Sequence, residues 1–393
     1  MQLPVLAKSL VSKIMHKWGE GVLRKMRIKI KSSETRSLGR IHFASALTEH
    51  TAEPAVFLKA HMTEPIRIGS RGSQLALWQA NHIAAQLRDL GHTVEIEIIR
   101  TTGDRMQQPD GADGLPSLAQ LPSGKGIFIK EIEEALAEGR IDLAVHSLKD
   151  LPTEIDPRFT LAAIPPRADA RDAFVCEQYW ALHTLPMGSR IGTTSPRRQA
   201  QLLALRPDLT FIETRGNIDT RLRKLAEGQC DALVLASAGL DRLTRAEWVH
   251  QRFAVDELCP APGQGALALQ TRAASYAVFA EPERDNYIRH AVAALDHPET
   301  RFAIEAERTV LDALGGGCSI PIGVHCSPIR EDETTVAWHV HAQVLAPDGE
   351  RMICASTEVP ASIAARVLGL QVADDLKSRG ALELLTADVP APA

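Results

Sequence analysis

From residue 66 onward, short apolar runs alternate with longer stretches in which apolar side chains recur every three or four positions. That is the pattern of strands alternating with amphipathic helices. Ile66–Gly69 predicts a strand and Gln74–Leu90 a helix, closed by Gly91, a residue that tolerates the left-handed conformation of a helix end. Val94–Arg100 alternates as a strand, Ile127–Glu138 predicts a helix stopped by Gly139, and Ile141–Ser147 reads as an apolar strand. Ile191–Gly192 opens another strand. Ser195-Pro196 then joins an N-cap to a proline at the first helical position. Asn217 caps a helix ending at Gly228, and Ala232–Ala236 is apolar throughout. Continuous apolar runs mark buried parallel strands, so the body is predicted to be α/β with parallel sheets.

Two stretches echo one another. Leu136-Ala137-Glu138-Gly139-Arg140-Ile141-Asp142 is matched by Leu225-Ala226-Glu227-Gly228-Gln229-Cys230-Asp231, each leading into an apolar strand. Arg67-Ile68-Gly69-Ser70 is matched by Arg190-Ile191-Gly192-Thr193, each leading into a helix start. Two related α/β lobes produce such a pattern, and Pro260-Ala261-Pro262-Gly263-Gln264-Gly265 has the composition of a crossover or hinge between them. The C-terminal part differs. A helix over 299–314 runs into Gly315-Gly316-Gly317-Cys318, followed by a strand over Ile320–His325. Val336, Trp338, Val340, Ala342 and Val344 alternate with polar neighbours, Pro347-Asp348-Gly349 turns the chain into a strand over Arg351–Thr357, and a last helix is predicted over 361–379. This reads as a small α+β domain. The predicted layout is an extension over 1–61, a first lobe over 62–166 and 266–284, a second over 167–265, and a third domain over 285–393.

Composition sharpens this. The 393 residues are 45% hydrophobic and 24% charged, which excludes wholesale disorder, and 4% aromatic, too few for base-stacking platforms. Net charge is −5, unevenly spread: residues 1–61 hold 11 Lys+Arg against 4 Asp+Glu, leaving 33 against 45 for the remainder. So acidic a body is poorly suited to nucleic acid. The basic extension lacks a secretory apolar core, because Lys8, Lys13 and Lys17 interrupt it; it reads either as an organelle transit peptide or as an over-extended start ahead of Met62. No apolar run reaches transmembrane length. Six cysteines without a CxxC pair fit a reducing compartment, and 14 histidines without HxxxH or HExxH spacing give no support to a metal site.

The predicted helix starts carry the wrong charge. Acidic residues suit the positive end of a helix and cations there cost about 0.3–1 kcal/mol each. Yet Arg71 and Ser73 precede the first helix, Lys125 the second, Arg197 and Arg198 stand in the turn after Ser195, and Arg215 and Arg221 flank the start capped by Asn217. A local rule broken this often points to function, here an anion held by amides and guanidinium groups at the carboxyl ends of strands. Strand 141–147 delivers Ser147-Leu148-Lys149-Asp150 to the same edge, which puts one carboxylate among cations, suited to proton transfer or to stabilising a cation. Cys318 follows three glycines, more than a helix cap needs, on an open loop where a thiolate nucleophile could form. Taken singly, each has a plainer reading: a solvated arginine, a turn aspartate before Pro152, a small core thiol.

Together, the motifs Arg67-Ile68-Gly69-Ser70-Arg71-Gly72-Ser73, Gly124-Lys125-Gly126, His146-Ser147-Leu148-Lys149-Asp150, Thr193-Thr194-Ser195-Pro196-Arg197-Arg198, Arg215-Gly216-Asn217 and Gly315-Gly316-Gly317-Cys318 resemble, in order, those of the porphobilinogen deaminase (hydroxymethylbilane synthase) family. The resemblance runs from about residue 66 to the C-terminal helix. It implies two periplasmic-binding-protein-like α/β lobes plus a small C-terminal α+β domain, in a transferase of tetrapyrrole (haem) biosynthesis that joins four porphobilinogens into hydroxymethylbilane with release of ammonia. It further implies a covalent dipyrromethane cofactor on Cys318 and a catalytic Asp150. Ser147, Lys149, Thr193, Ser195, Arg197, Arg198, Arg215 and Gly216 are implied on the cofactor side, and Arg71, Ser73, Lys125, Arg221 and Arg242 on the substrate side. A cytoplasmic monomer with no nucleic-acid or membrane partner completes the expectation. Gln120-Leu121-Pro122-Ser123 departs from a shorter, lysine-bearing loop common in bacterial relatives, and Pro196 varies the paired-arginine motif. The alternative from another class is a non-catalytic solute-binding or ligand-sensing protein for a polyanion, which gives no reason for Cys318.

Overall fold

The computed structural model describes residues 64–101, 129–274, 282–316 and 320–386. The N-terminal extension, the 115–124 loop, Lys125 and Cys318 lie outside the described residues.

In the first lobe, β1 (Ile66–Ser70) lies between β2 (Val94–Ile98) and β3 (Leu143–Ser147), all parallel. Helix α1 (Gln74–Asp89) connects β1 to β2. It begins where Ser73 Oγ accepts the Ala76 N–H and ends at Gly91, whose φ of 90° only glycine adopts without strain. Its stripe of Ala80, Ile83, Ala84 and Leu87 is fully buried in the lobe core, each large side chain stabilising by roughly 1.5–3 kcal/mol. Helix α2 (Lys130–Ala137) precedes β3 and buries Ile132, Ala135 and Leu136. Next comes β4 (Phe159–Ala163), which is not a neighbour of β3.

The second lobe comprises β5 (Asp172–Val175), β6 (Arg190–Gly192), α3 (Pro196–Leu205), β7 (Thr210–Ile212), α4 (Ile218–Ala226), β8 (Ala232–Ala236), α5 (Ser237–Arg242) and β9 (Gln251–Arg252). The chain then returns to the first lobe as β10 (Leu267–Arg272), placed between β3 and β4 and antiparallel to both. The two sheets have the same order, β2-β1-β3-β10-β4 and β7-β6-β8-β5-β9, and in each the fourth strand is antiparallel to the third. The expectation of parallel sheets is thus corrected to mixed sheets. In each sheet the antiparallel strand is the one that has just arrived from the other lobe, so it enters in the opposite sense.

The sequence echoes fall on equivalent elements. Arg67 donates from its backbone N–H, Nε and Nη2 to Asp142, and Arg190 makes the same three bonds to Asp231. The Pro- and Gly-rich segment is the returning crossover. Gly265 (φ 87°) passes the outgoing crossover so closely that a Cβ would stand 2.5 Å from the Ala168 carbonyl oxygen. Beside it, the buried Glu307 carboxylate takes both Arg167 Nη atoms and the Gly263 and Cys326 N–H groups, tying both crossovers to the third domain.

The expected boundary at 284/285 cuts through α6 (Pro282–Ala293), whose Ile288, Ala291 and Val292 pack in the first-lobe core; the helix belongs there. After α7 (Pro298–Ala313), the antiparallel strands β11 (Ile322–Glu331), β12 (Thr334–Leu345) and β13 (Met352–Pro360) form a third sheet, covered by α8 (Ala365–Ser378) with α9 (Ala381–Thr386) beyond it. Trp338, Val340, Ala342 and Val344 fill its core as their alternation predicts. His341 and Gln343 on the opposite face are also buried, because that face meets the second lobe: Gln343 Nε2 donates to the Asp256 carbonyl. The outcome is the expected fold class, two α/β lobes plus a small α+β domain.

Candidate active site

A cavity of about 550 Å³ is lined by both lobes and by Leu311, Ile320 and Ile322 of the third domain. Strand ends supply it. β1 leads to Arg71 and to Ser73, the α1 N-cap; β3 leads to Ser147 and to a single 3₁₀ turn carrying Lys149 and Asp150. Ser195 caps α3 and brings Arg198, Gly216 precedes the Asn217 cap of α4 and brings Arg221, and α5 ends at Arg242. Of the cations predicted at helix starts, Arg71, Arg197, Arg198 and Arg221 line this one space, and Arg215 does not.

Most of these groups are held from behind. Gln79 Nε2 donates to Ser147 Oγ at 2.8 Å, Arg221 Nε to the Gly216 carbonyl at 2.8 Å, and Arg242 Nη2 to the Gly265 carbonyl at 2.7 Å, with its guanidinium 5.7 Å from the Trp78 ring centre. Arg308 of α7 donates to the carbonyls of Leu151 and Thr153, which fixes the turn just past the exposed Asp150. Burial lowers Arg221 and Arg242 to about 10, still cationic at neutral pH. Burial, helped by Arg198, brings Lys149 to about 8, opposed by Asp150 and Asp172.

Arg197 and Arg198 differ from expectation. Both are buried, and both point at Asp172, which opens β5: Arg197 Nη2 is 2.8 Å from Oδ2 and Arg198 Nη2 is 2.7 Å from Oδ1. A guanidinium out of water needs a partner, and the fold supplies one internally. Burial pushes the Asp172 carboxyl up, but the two arginines outweigh it and hold it well below the usual carboxylate range. Gln264 extends the cluster, donating to Asp172 Oδ1 at 2.9 Å and accepting from Lys149 Nζ at 3.2 Å. It thereby links the Lys149 turn of one lobe to Asp172 of the other.

Two predicted residues lie off the cavity. Thr193 is fully buried, and its Oγ1 accepts the Ser195 N–H at 3.2 Å, so it shapes the turn, while its neighbour Thr194 lines the cavity. Arg215 is exposed and ion-paired with Glu213, with its carbonyl bonded to Lys224. Sequence reasoning missed Asp172, Gln79, Gln264 and His146. An aspartate opening an otherwise apolar strand, and a glutamine between two glycines, were the available signals.

The described residues hold no group of three or more His, Cys, Asp or Glu arranged for a metal, and none of their helices is long and apolar enough to cross a membrane. Comparison with known proteins adds two family matches. Residues 66–280 match the model described as "Porphobilinogen deaminase, dipyromethane cofactor binding domain", and residues 301–378 match "Porphobilinogen deaminase, C-terminal domain". The porphobilinogen deaminase of Syntrophotalea carbinolica is 43% identical over 324 residues, 82% of this chain and 95% of that protein. That of Nitratidesulfovibrio vulgaris (strain Hildenborough) is 44% identical over 322 residues, 81% and 95% of the two chains. Among solved structures, the methionine-binding protein MetQ aligns at 13% identity with a TM-score of 0.37, covering 58% of this chain and 89% of its own. Identity above two-fifths along nearly the whole length of those relatives, with both family models matched in order, means that the chain belongs to the porphobilinogen deaminase family.

Proposed function

We propose that this enzyme joins four porphobilinogens head to tail into linear hydroxymethylbilane, releasing one ammonia per unit. The observation that supports this most directly is the cavity itself, lined by Arg71, Arg198, Arg221 and Arg242 together with a single turn carrying Lys149 and Asp150. Each porphobilinogen brings two carboxylates, so a growing chain needs many fixed cations, and an acidic protein gathers them here. Family membership favours this over the non-catalytic solute-binding alternative.

The cationic lining fits a dipyrromethane, which carries four carboxylates of its own. Cys318 would hold it covalently, with Ser147, Lys149, Ser195, Arg197, Arg198 and Gly216 toward its acid side chains. The group supplies a primer with a free pyrrole carbon from which extension starts. Arg71, Ser73, Arg221 and Arg242 would orient the incoming porphobilinogen, with Lys125 beside them. Asp150 assists departure of ammonia and offsets the positive charge that develops on the substrate ring. The Leu151–Thr153 carbonyls held by Arg308 keep that carboxylate in place.

In the same reading the enzyme is a cytoplasmic monomer. The cysteine pattern of the sequence supports a reducing compartment, and light scattering on the purified protein checks the monomer. One intact-mass spectrum tests the activity: the expected result is a mass raised by one dipyrromethane, and an unmodified chain that fails to convert porphobilinogen overturns the proposal.

A further inference from the structure

Arg242 ends α5 and is half-buried in the cavity wall. Its Nη2 donates to the Gly265 carbonyl at 2.7 Å, and Gly265 lines the same cavity, so the guanidinium is fixed beside that space. Among the described residues this is its one hydrogen bond, and none of their carboxylates is within ion-pair distance of it. The adjacent Asp241 is taken by Arg252 at 2.7 Å. Arg242 thus differs from Arg197 and Arg198, whose charge Asp172 partly cancels.

What Arg242 has instead is an aromatic face. Its guanidinium carbon stands 5.7 Å from the centre of the Trp78 ring, within the reach of a cation–π interaction. Trp78 is carried by α1 of the first lobe, beside Leu75, Ala76 and Gln79, which line the cavity. Helices α1 and α5 approach closely there: a Cβ at Gly239 would lie 3.9 Å from Leu75. The indole is itself held. Trp78, His82 and Gln86 follow at four-residue spacing on one face of α1. His82 stacks on Trp78 with ring centres 4.9 Å apart and planes inclined by 12°, and Gln86 Nε2 stands 3.1 Å from His82 Nε2. Burial lowers the His82 pKa and the Arg242 charge lowers it further, as a cation beside the pair must.

A carboxylate would also hold a guanidinium in place, but it would cancel the charge and occupy the N–H groups. A ring face attracts the cation through its quadrupole and leaves both the charge and the N–H donors for a ligand. Resting on the substrate proposed above, we infer that Trp78 is a positioning residue, whose face, braced by His82, holds Arg242 across the lobe boundary for a carboxylate of porphobilinogen. Trp78 acts through Arg242, so its contribution is to substrate binding and not to the chemical step.

The test begins with two variants. Trp78→Leu removes the ring face and keeps apolar bulk on α1, whereas Trp78→Phe keeps a smaller face. Intact mass first establishes that each protein carries dipyrromethane; if the wild type does not, it is the functional proposal that fails, and the inference with it. For loaded protein, KM for porphobilinogen is expected to rise about fivefold in Trp78→Leu with kcat within about twofold, and Trp78→Phe is expected to recover most of that loss. The decisive comparison repeats Trp78→Leu in an Arg242→Gln background. The ring then has no cation to hold, and no further rise in KM is expected. An indole with a merely structural role gives the same loss in both backgrounds. That result, or an unchanged KM in Trp78→Leu, overturns the inference, and a wild-type KM in Arg242→Gln takes Arg242 off the substrate side and overturns it too. If Trp78→Leu does not fold, fluorinated tryptophan incorporated throughout the chain draws charge from the ring face and keeps its shape. It is expected to raise KM about twofold in the otherwise wild-type protein and not in Arg242→Gln, and equal effects in both overturn the assignment.

Discussion

Asp172 sits between Arg197 and Arg198 with one guanidinium on each of its oxygens, all three side chains buried. One carboxylate against two guanidinium groups leaves the cluster net positive, and the remainder of that charge faces the cavity. Removing the carboxylate leaves two buried cations opposed to each other. Asp172→Asn is therefore expected to destabilise the fold by about 3–5 kcal/mol, read as a lowered urea midpoint. An unchanged midpoint would show that water reaches the pair.

Asp150→Asn keeps shape and hydrogen-bond reach but removes the charge. The fold is expected to persist while turnover falls by about 10²–10³-fold or more. Asp150→Glu retains part of the activity, because the charge survives and only its position moves. Single-turnover kinetics on protein already carrying its cofactor separates lost chemistry from failed assembly. Near-normal turnover in Asp150→Asn would place the catalytic acid elsewhere.

Cys318→Ala is expected to give a folded protein without the covalent adduct. The five cysteines of the described residues offer poor substitutes: Cys176, Cys230, Cys259 and Cys326 are buried, and burial pushes Cys259 and Cys326 far above the usual thiol range. Peptide mass spectrometry locating the adduct on Cys326 would reassign the attachment site.

The buried His146 predicts an acid-sensitive fold. Its pKa is about 4 in the folded chain against an ordinary 6.5, so between those values the unfolded chain binds the extra proton. Its contribution is complete above pH 6.5 and is lost as pH falls toward 4, in total about 3 kcal/mol. His325 shifts in the same direction for the same first cause, so His146→Gln should remove part of the slope. Urea midpoints between pH 7 and 4.5 measure it, and an unaltered slope in His146→Gln would mean the imidazole is solvated.

What could be read in the sequence was whatever is local. Gly91 and Gly139 end helices, Ser195 and Asn217 start them, and the Arg67/Arg190 and Asp142/Asp231 echoes foretold two related lobes, whose common strand order only the structure shows. Of the cations oddly placed at helix starts, Arg71, Arg198 and Arg221 line one cavity, whereas Arg215 does not. The antiparallel fourth strands were not legible, because Asp172–Val175 and Leu267–Arg272 are apolar like their parallel neighbours, and direction leaves no mark on composition. Nor was the partner of the paired arginines, since Asp172 lies 25 residues away from Arg197 and meets it only after the second sheet closes.

The placement of β10 also bears on the order in which the chain can fold during synthesis. β4 pairs with β10, and β10 with β3. When residues up to Ala163 have left the ribosome, the strand that belongs between β3 and β4 has still to be translated, and the whole second lobe comes before it. The N-terminal lobe must wait, with two sheet edges open, for a strand that arrives about a hundred residues later, whereas the second lobe already has all five of its strands. The later-made lobe is thus the first that can finish, and a nascent chain stalled before Leu267 would present unpaired β3 and β4 edges to chaperones or to other nascent chains.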